Sequence, residues 1–166
     1  MIPVVSIVGI KSKVGKTTVI CKIISELKNR GYKVGVIKHD VHGFEIDHPG
    51  KDTWLHAQVG ADVVSISSHE KMAIIEKVER EYSLDEMIGK INNVDIILTE
   101  GYKQENKPKI EVFRKDVSEE LYSKEEDLIA IITDTYFELD IPQFSFSKVD
   151  KIVDLLERKF SLRKGD

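Results

Sequence analysis

A turn rich in glycine and lysine, lying between an apolar strand and a helical segment, constrains this chain more than any other feature. The segment from Val4 to Thr18 reads VVSIVGIKSKVGKTT. The backbone N–H groups of such a turn point at phosphate oxygens, its last lysine reaches the β- and γ-phosphates, and the following Thr hydroxyl binds Mg²⁺. Residues 16–30 then repeat apolar side chains at helical spacing. The segment therefore predicts a phosphate-binding loop of the Walker A type.

The loop supplies most of the candidate nucleotide-binding residues, although its spacing is irregular. Ile10 occupies the position, six residues before the lysine, where a glycine is usual. Lys11 resembles the lysine that contacts nucleotide, often across a dimer interface, in P-loop variants of dimeric nucleotide switches; the alternative for Lys11 and Lys13 is attraction of polyphosphate from solution. The candidates are Gly9, Lys11, Ser12, Lys13, Val14, Gly15, Lys16, Thr17 and Thr18.

Composition narrows the class of protein. The chain has 166 residues and a net charge of −4 without a basic stripe, which argues against general nucleic-acid binding. No apolar run approaches the ~18 residues of a membrane span, and the apolar start lacks the features of a signal peptide. We therefore expect a cytoplasmic protein with one domain over residues 1–161 and a frayed tail over residues 162–166. The single cysteine, Cys21, is expected to be a small core residue of the first helix.

Strand-like and helical segments alternate along the chain. Near-continuous apolar runs such as DIILT and LIAIIT indicate strands buried on both faces. The pattern predicts an α/β fold of the P-loop NTPase type with three layers: a mostly parallel twisted sheet, helices on both of its faces, and an antiparallel hairpin at an edge. The predicted strands are 4–8, 33–38, 62–66, 72–75, 95–99, 110–113, 128–133 and 143–146, and the predicted helices are 16–30, 50–59, 84–91 and 148–160.

Polar residues follow the carboxyl ends of the predicted strands, where open parallel sheets bind ligands. Glu100 is the candidate second acid near Mg²⁺, where it would bind a metal-ligated water or orient an attacking one; with Lys16 and Thr17 it makes up the candidate catalytic group. The alternative is a structural acid that pairs with Lys103. Asp95 opens the same strand and is expected at the opposite edge of the sheet. Asp134 follows the predicted strand 128–133 and is a candidate acceptor for hydrogen bonds from the nucleotide base, or a simple turn residue.

The segment from Lys38 to Thr53 is dense in reactive side chains. Either Asp40 or Asp47 could supply an outer carboxylate for Mg²⁺, and Asp47 is the candidate metal ligand. The three histidines of the segment suggest either a transition-metal site or, more in keeping with their spacing, solvated or substrate-contacting side chains. A basic loop after Glu100 could bind an anionic substrate or a partner, and Arg114 could reach phosphate or form a local salt bridge. The candidate substrate or partner residues are Lys38, His39, Asp40, His42, Lys51 and Lys103.

These blocks together resemble the molybdopterin-guanine dinucleotide biosynthesis protein B family. The resemblance rests on the Gly-Lys-Thr-Thr loop and on residues 36–39, 47–53, 96–103 and 109–114. It implies GTP binding with Mg²⁺, slow hydrolysis and a homodimer. It also implies assistance to the guanylyltransferase that attaches GMP to molybdopterin, and hence contact with molybdopterin or a protein that carries it.

Guanine preference rests on this resemblance, because residues 106–109 (Asn-Lys-Pro-Lys) lack the final acid of the guanine-reading Asn-Lys-x-Asp motif. Two other functions therefore stay open. One is an ATP-dependent small-molecule kinase or ligase on the same fold. The other is a nucleotide-switched metal-delivery protein that would use the histidine-rich loop.

Overall fold

Strands and helices alternate through most of the computed structural model, which describes residues 1–41 and 43–164. No helix in these residues is both long and apolar enough to cross a membrane. The elements are β1 (Val4–Val8), α1 (Lys16–Asn29), β2 (Val34–Lys38), α2 (Asp52–Gln58), β3 (Val63–Ser67), β4 (Met72–Glu76), α3 (Leu84–Gly89), β5 (Ile96–Glu100), β6 (Lys109–Val112), β7 (Leu128–Ile132), β8 (Gln143–Phe144) and α4 (Val149–Phe160).

The chain divides into two compact units, Met1–His39 with Leu84–Asp166, and Asp40–Ser83. In the first unit, the described strands form one parallel sheet in the order β2-β5-β1-β6-β7-β8. β1 lies near the middle between β5 and β6, so the loop that follows it opens at the centre of the carboxyl edge. This arrangement confirms the predicted α/β fold with a mostly parallel sheet.

Helices cover both faces of this sheet. On one face α1 and α4 pack on a core that includes Ile7, Leu98 and Ile132. On the other face α3 contributes Leu84, which packs with Ile37 and Ile97. Because both faces are covered, the sheet strands need apolar side chains in both directions, which explains the largely apolar sequences of strands such as β5 and β7.

The buried stripe of α1 differs from the expectation at one residue. Val19, Ile20, Ile23 and Leu27 are buried, whereas Cys21 is exposed. The expectation that Cys21 is a core residue was wrong, because its neighbours at helical spacing already fill the face that meets the sheet.

Ion pairs fasten the far end of α1 to α4. Arg30 Nη1 lies 2.8 Å from Asp154 Oδ1 and 2.7 Å from Glu157 Oε2, and its Nε lies 2.8 Å from Glu26 Oε1. The hydrogen bond from Arg30 lowers the pKa of Asp154 below its ordinary value. The Arg30–Asp154 ion pair therefore contributes fully to stability at pH values above the ordinary Asp pKa. That contribution is lost as the pH falls through the lowered pKa of Asp154.

The second unit contains α2 and the predicted antiparallel pair. β3 and β4 form a separate two-stranded sheet, with Val64 opposite Ile75. Val64 is buried, but on the other face Val63, Met72 and Ile74 are 56%, 66% and 58% exposed. A two-stranded sheet is marginally stable alone, so this exposed apolar face is a feature to be explained.

Candidate functional site

The loop between β1 and α1 has the backbone geometry of an anion-binding turn. Gly15 caps α1 in a left-handed conformation, with φ 109°. Because it is a glycine, it has no side chain to accept from the N–H groups of the first turn. The first turn of α1 contains no acidic residue. Its N–H groups and the positive end of the helix dipole therefore suit an anion. Lys13 also has a positive φ of 65°, a conformation that costs a non-glycine residue about 1 kcal/mol.

Gly9 is required by close packing at the start of this loop. A Cβ atom on Gly9 would lie 2.8 Å from the carbonyl oxygen of Val112 in β6 and 2.8 Å from Val14 Cγ1. Val14 itself is fully buried. The backbone therefore leaves β1 in direct contact with β6, which explains a glycine at position 9 although the usual loop glycine would stand at position 10.

Gly9→Ala should lower the free energy of unfolding by about 1–3 kcal/mol, because the loop must move away from a backbone atom of a central strand. The matched control is Gly89→Ala, whose added Cβ meets no atom within 4 Å. Urea unfolding of both variants measures the difference. Equal stability of Gly9→Ala and wild type would contradict the close packing.

Lys16, Thr17 and Glu100 lie together at the carboxyl edge of the sheet. The Thr17 hydroxyl donates to Glu100 Oε1 at 2.9 Å, and Lys16 Nζ donates to the carbonyl of Lys11 at 2.9 Å. Glu100 is the last residue of β5, next to β1. The structure thus places the Glu100 carboxylate on Thr17, whereas the sequence left a pairing with Lys103 open. Asp95 lies at the other end of β5, where its Oδ2 accepts from Lys33 N at 2.6 Å, as expected from strand direction.

The Thr17–Glu100 pair fits a magnesium ion. A hydroxyl and a carboxylate oxygen in contact are the hard oxygen ligands that Mg²⁺ prefers, and Mg²⁺ commonly takes only one or two protein ligands beside substrate phosphates. Among residues 1–41 and 43–164, no three His, Cys, Asp or Glu side chains cluster as a metal site. The remaining ligands of such an ion would come from phosphate and water.

Two further cations contact the same loop. Lys103 Nζ donates to the Ile10 carbonyl at 2.9 Å, and Arg114 Nε donates to the Val14 carbonyl at 3.1 Å. The Arg114 guanidinium also lies 4.0 Å from the centre of the Phe146 ring. The pKa of Lys16 is lowered, first by burial and then by the positive charge of Lys103, with Glu100 opposing both. A bound polyphosphate would neutralise this concentration of positive charge.

The remaining candidates in the first unit occupy loop and edge positions. Asp134 follows β7, and its Oδ1 accepts from Lys115 N at 3.0 Å. Lys38 ends β2 and is exposed. The backbone N–H of His39 donates to the Glu100 carbonyl at 3.0 Å, and its ring stacks on Tyr102 at a centroid distance of 4.7 Å.

Three other candidates, Asp40, Asp47 and Lys51, belong to the second unit. There Asp47 Oδ1 accepts from His48 N at 2.8 Å. The pKa of Asp47 is lowered, mainly by a hydrogen bond from the Thr53 side chain. The Asp47 carboxylate thus organises its own loop, and its predicted role as a metal ligand stays a prediction. His42 lies outside the described residues.

Sequence reasoning missed two residues that shape the site. Phe146 follows β8 and stacks against Arg114. Glu111 is completely buried in β6, where its two carboxylate oxygens accept from Tyr122 N at 2.7 Å and Ser123 N at 2.8 Å. An acidic residue between two apolar residues of a predicted strand, Ile110 and Val112, was the available signal for Glu111, because a buried carboxylate needs hydrogen-bond partners.

Known proteins resemble this chain over most of its length. A family model described as molybdopterin guanine dinucleotide synthesis protein B matches residues 4–134. A molybdopterin-guanine dinucleotide biosynthesis adapter protein from Haemophilus influenzae is 33% identical over 94% of this chain and 88% of its own. The adapter protein of the same name from Escherichia coli is 31% identical over 93% of this chain and 91% of its own.

Solved structures agree with the sequence comparisons. The crystal structure of Bacillus subtilis MobB has a TM-score of 0.73 at 27% identity, covering 92% of this chain and 97% of that one. A second structure, of molybdopterin-guanine biosynthesis protein B, has a TM-score of 0.71 at 26% identity, covering 94% and 99%. The family model and these relatives, together with the shared fold, show that the chain belongs to the molybdopterin guanine dinucleotide synthesis protein B family.

Proposed function

We propose that this chain is a GTP-binding adapter protein of molybdenum cofactor biosynthesis. It would assist the guanylyltransferase that attaches GMP to molybdopterin, giving molybdopterin guanine dinucleotide. The observation that carries the nucleotide-binding part is the contact between Thr17 and Glu100 beside Lys16. The names of the relatives, which describe adapter proteins of this biosynthesis, support the role.

Lys16 and the loop amides would hold the triphosphate, while Thr17 and Glu100 would hold Mg²⁺, which neutralises phosphate charge when bound. Asp134 is the proposed acceptor for guanine. Its Oδ1 accepts from Lys115 N, and no partner is found for its Oδ2 among the described residues. We infer slow hydrolysis, because no residue described at the site is assigned as an arginine finger, the cation that would stabilise the charge of the transition state.

Homodimerisation would explain the exposed apolar face of the hairpin. Val63, Met72 and Ile74 present apolar side chains on one face of a two-stranded sheet that has unpaired edges. Such a face is typical of an interaction surface. Ile74→Lys would place a charge on this apolar face and should convert a dimer to a monomer, as measured by light scattering after gel filtration. A monomeric wild type would contradict the proposed assembly.

The adapter role implies two partners, the guanylyltransferase and either molybdopterin or a protein that carries it. A cytoplasmic location suits the single cysteine, which cannot form an internal disulfide. Tagged wild-type protein should retain the purified guanylyltransferase more strongly with Mg-GTP than without nucleotide. Equal retention of the guanylyltransferase with and without Mg-GTP would argue against a nucleotide-controlled adapter.

Calorimetric titration with GTP and then ATP, each with Mg²⁺ and again with EDTA, tests the nucleotide assignment. The proposal predicts tighter binding of GTP than of ATP and weaker binding when Mg²⁺ is removed. Preferred binding of ATP, followed by rapid phosphate transfer to a metabolite, would instead indicate a kinase or ligase.

A further inference from the structure

Two lysines from different parts of the chain hold neighbouring carbonyl groups of the phosphate-binding loop. Lys16 Nζ is 2.9 Å from the Lys11 carbonyl oxygen, and Lys103 Nζ is 2.9 Å from the Ile10 carbonyl oxygen. Lys16 comes from the helix that follows the loop, whereas Lys103 reaches it from the turn after β5. The two ammonium groups thus make the same kind of contact with the same turn.

The turn that carries Lys103 has an unusual backbone. Gly101 and Tyr102 are consecutive residues with positive φ, 96° and 52°. Left-handed φ is unfavourable for a bulky residue such as tyrosine, so surrounding contacts must hold it. The stack of Tyr102 on His39 and the Gly101 N–H bond to the Ile7 carbonyl, at 3.3 Å, hold this conformation. This conformation brings the next residue, Lys103, to the loop that follows β1.

A second group of residues holds Lys103 from the other side. Its Nζ lies 5.0 Å from the centre of the Tyr122 ring, within the range of a cation–π interaction. The backbone N–H of Tyr122 is bound by the buried carboxylate of Glu111 at 2.7 Å. The aromatic ring attracts the ammonium group without neutralising its charge.

Lys103 has no neutralising partner in the described part of the chain, where its ammonium group forms no ion pair with a carboxylate. In those residues its ammonium group contacts the Ile10 carbonyl and the Tyr122 ring, which are both uncharged. The positive charge of Lys103 acts unfavourably on the neighbouring Lys16 ammonium group, and an anion bound between the two would offset that repulsion. The turn they share is built to receive phosphate.

We propose that Lys103 is a second phosphate-binding lysine. When nucleotide binds, its ammonium group would break its hydrogen bond to the Ile10 carbonyl and contact the terminal phosphate instead. This inference rests on the proposed function and adds a residue to its site. Lys103 lies three residues after Glu100, which forms the Thr17–Glu100 pair proposed to hold Mg²⁺. The carbonyl group that Lys103 contacts, that of Ile10, is next in sequence to the Lys11 carbonyl that Lys16 contacts. A contact with the terminal phosphate would distinguish a triphosphate from a diphosphate.

The test compares Lys103→Ala, Lys103→Gln and Lys103→Arg with wild type by calorimetry with Mg-GTP, Mg-GDP and inorganic tripolyphosphate. Lys103→Ala and Lys103→Gln should bind GTP and tripolyphosphate roughly tenfold more weakly, the loss of one charged hydrogen bond, and should bind GDP nearly as wild type. Lys103→Arg should recover most of the GTP affinity. Lys124→Ala is the matched control, since Lys124 is exposed and pairs only with Glu126.

The outcomes separate this proposal from the function it rests on. If the wild type binds GTP, and Lys103→Ala and Lys103→Gln bind it equally well, the role of Lys103 is overturned and the nucleotide site stands. Equal weakening for GTP and GDP would overturn the contact with the terminal phosphate. Failure of the wild type to bind either GTP or tripolyphosphate would overturn both proposals. Circular dichroism confirms that each variant is folded before titration.

Discussion

Lys16→Ala should weaken binding of Mg-GTP at least about 100-fold, because it removes the lysine that reaches the β- and γ-phosphates. The fold should survive. Among the described residues, the Lys16 ammonium group donates a hydrogen bond only to the Lys11 carbonyl, and its pKa is lowered by burial and by Lys103. Removal of this charge relieves an unfavourable interaction when nucleotide is absent, so stability should be unchanged or slightly higher.

The matched control is Lys28→Ala, an exposed lysine in the last turn of the same helix. It should bind Mg-GTP as wild type does. Calorimetry gives the affinities, and thermal melting reports the stabilities of both variants. Normal GTP binding by a folded Lys16→Ala protein would refute the site.

Glu111→Ala should lower the free energy of unfolding by about 3 kcal/mol, because two backbone N–H groups lose their only recorded acceptor in the described structure. Glu111 is completely buried, so water cannot readily replace its oxygens. The substitution also leaves a cavity in β6. Replacement of a buried carboxylate by an apolar group can be neutral, but only where its partners are removed as well.

Glu111→Gln is the informative companion variant. Its amide keeps the side-chain volume and one acceptor oxygen, so it should lose less stability than Glu111→Ala. Urea unfolding curves give both values. Glu111→Ala as stable as wild type would mean that Tyr122 and Ser123 find other acceptors, and that the carboxylate does not hold this segment.

Sequence reasoning located the elements well because the sheet is parallel and covered on both faces. Most strands of the sheet are largely apolar runs, and every predicted boundary lies within two residues of the observed one. The predicted direction of β5 already separates Glu100 from Asp95. The same reasoning placed the loop after β1 beside the end of β5, which is where Thr17 meets Glu100.

The contacts that sequence reasoning missed depend on three-dimensional neighbours. Nothing in the spacing of residues indicates that Phe146 meets Arg114, or that Lys103 turns back to Ile10. The positive φ of Tyr102 directs that turn, and tyrosine gives no local signal for it. Gly9 was assigned to the loop by its residue type, whereas its role in packing appeared only with the Val112 carbonyl beside it.

A crystal structure of the protein with Mg²⁺ and a non-hydrolysable GTP analogue would show whether nucleotide binds in the loop between β1 and α1. We expect a triphosphate enclosed by the loop from Gly9 to Thr18, with Lys16 on its β- and γ-phosphates. We also expect a metal ion bound by the Thr17 hydroxyl, with the Glu100 carboxylate beside it. A nucleotide bound elsewhere on the protein, or a metal ion remote from Thr17 and Glu100, would contradict the proposed site.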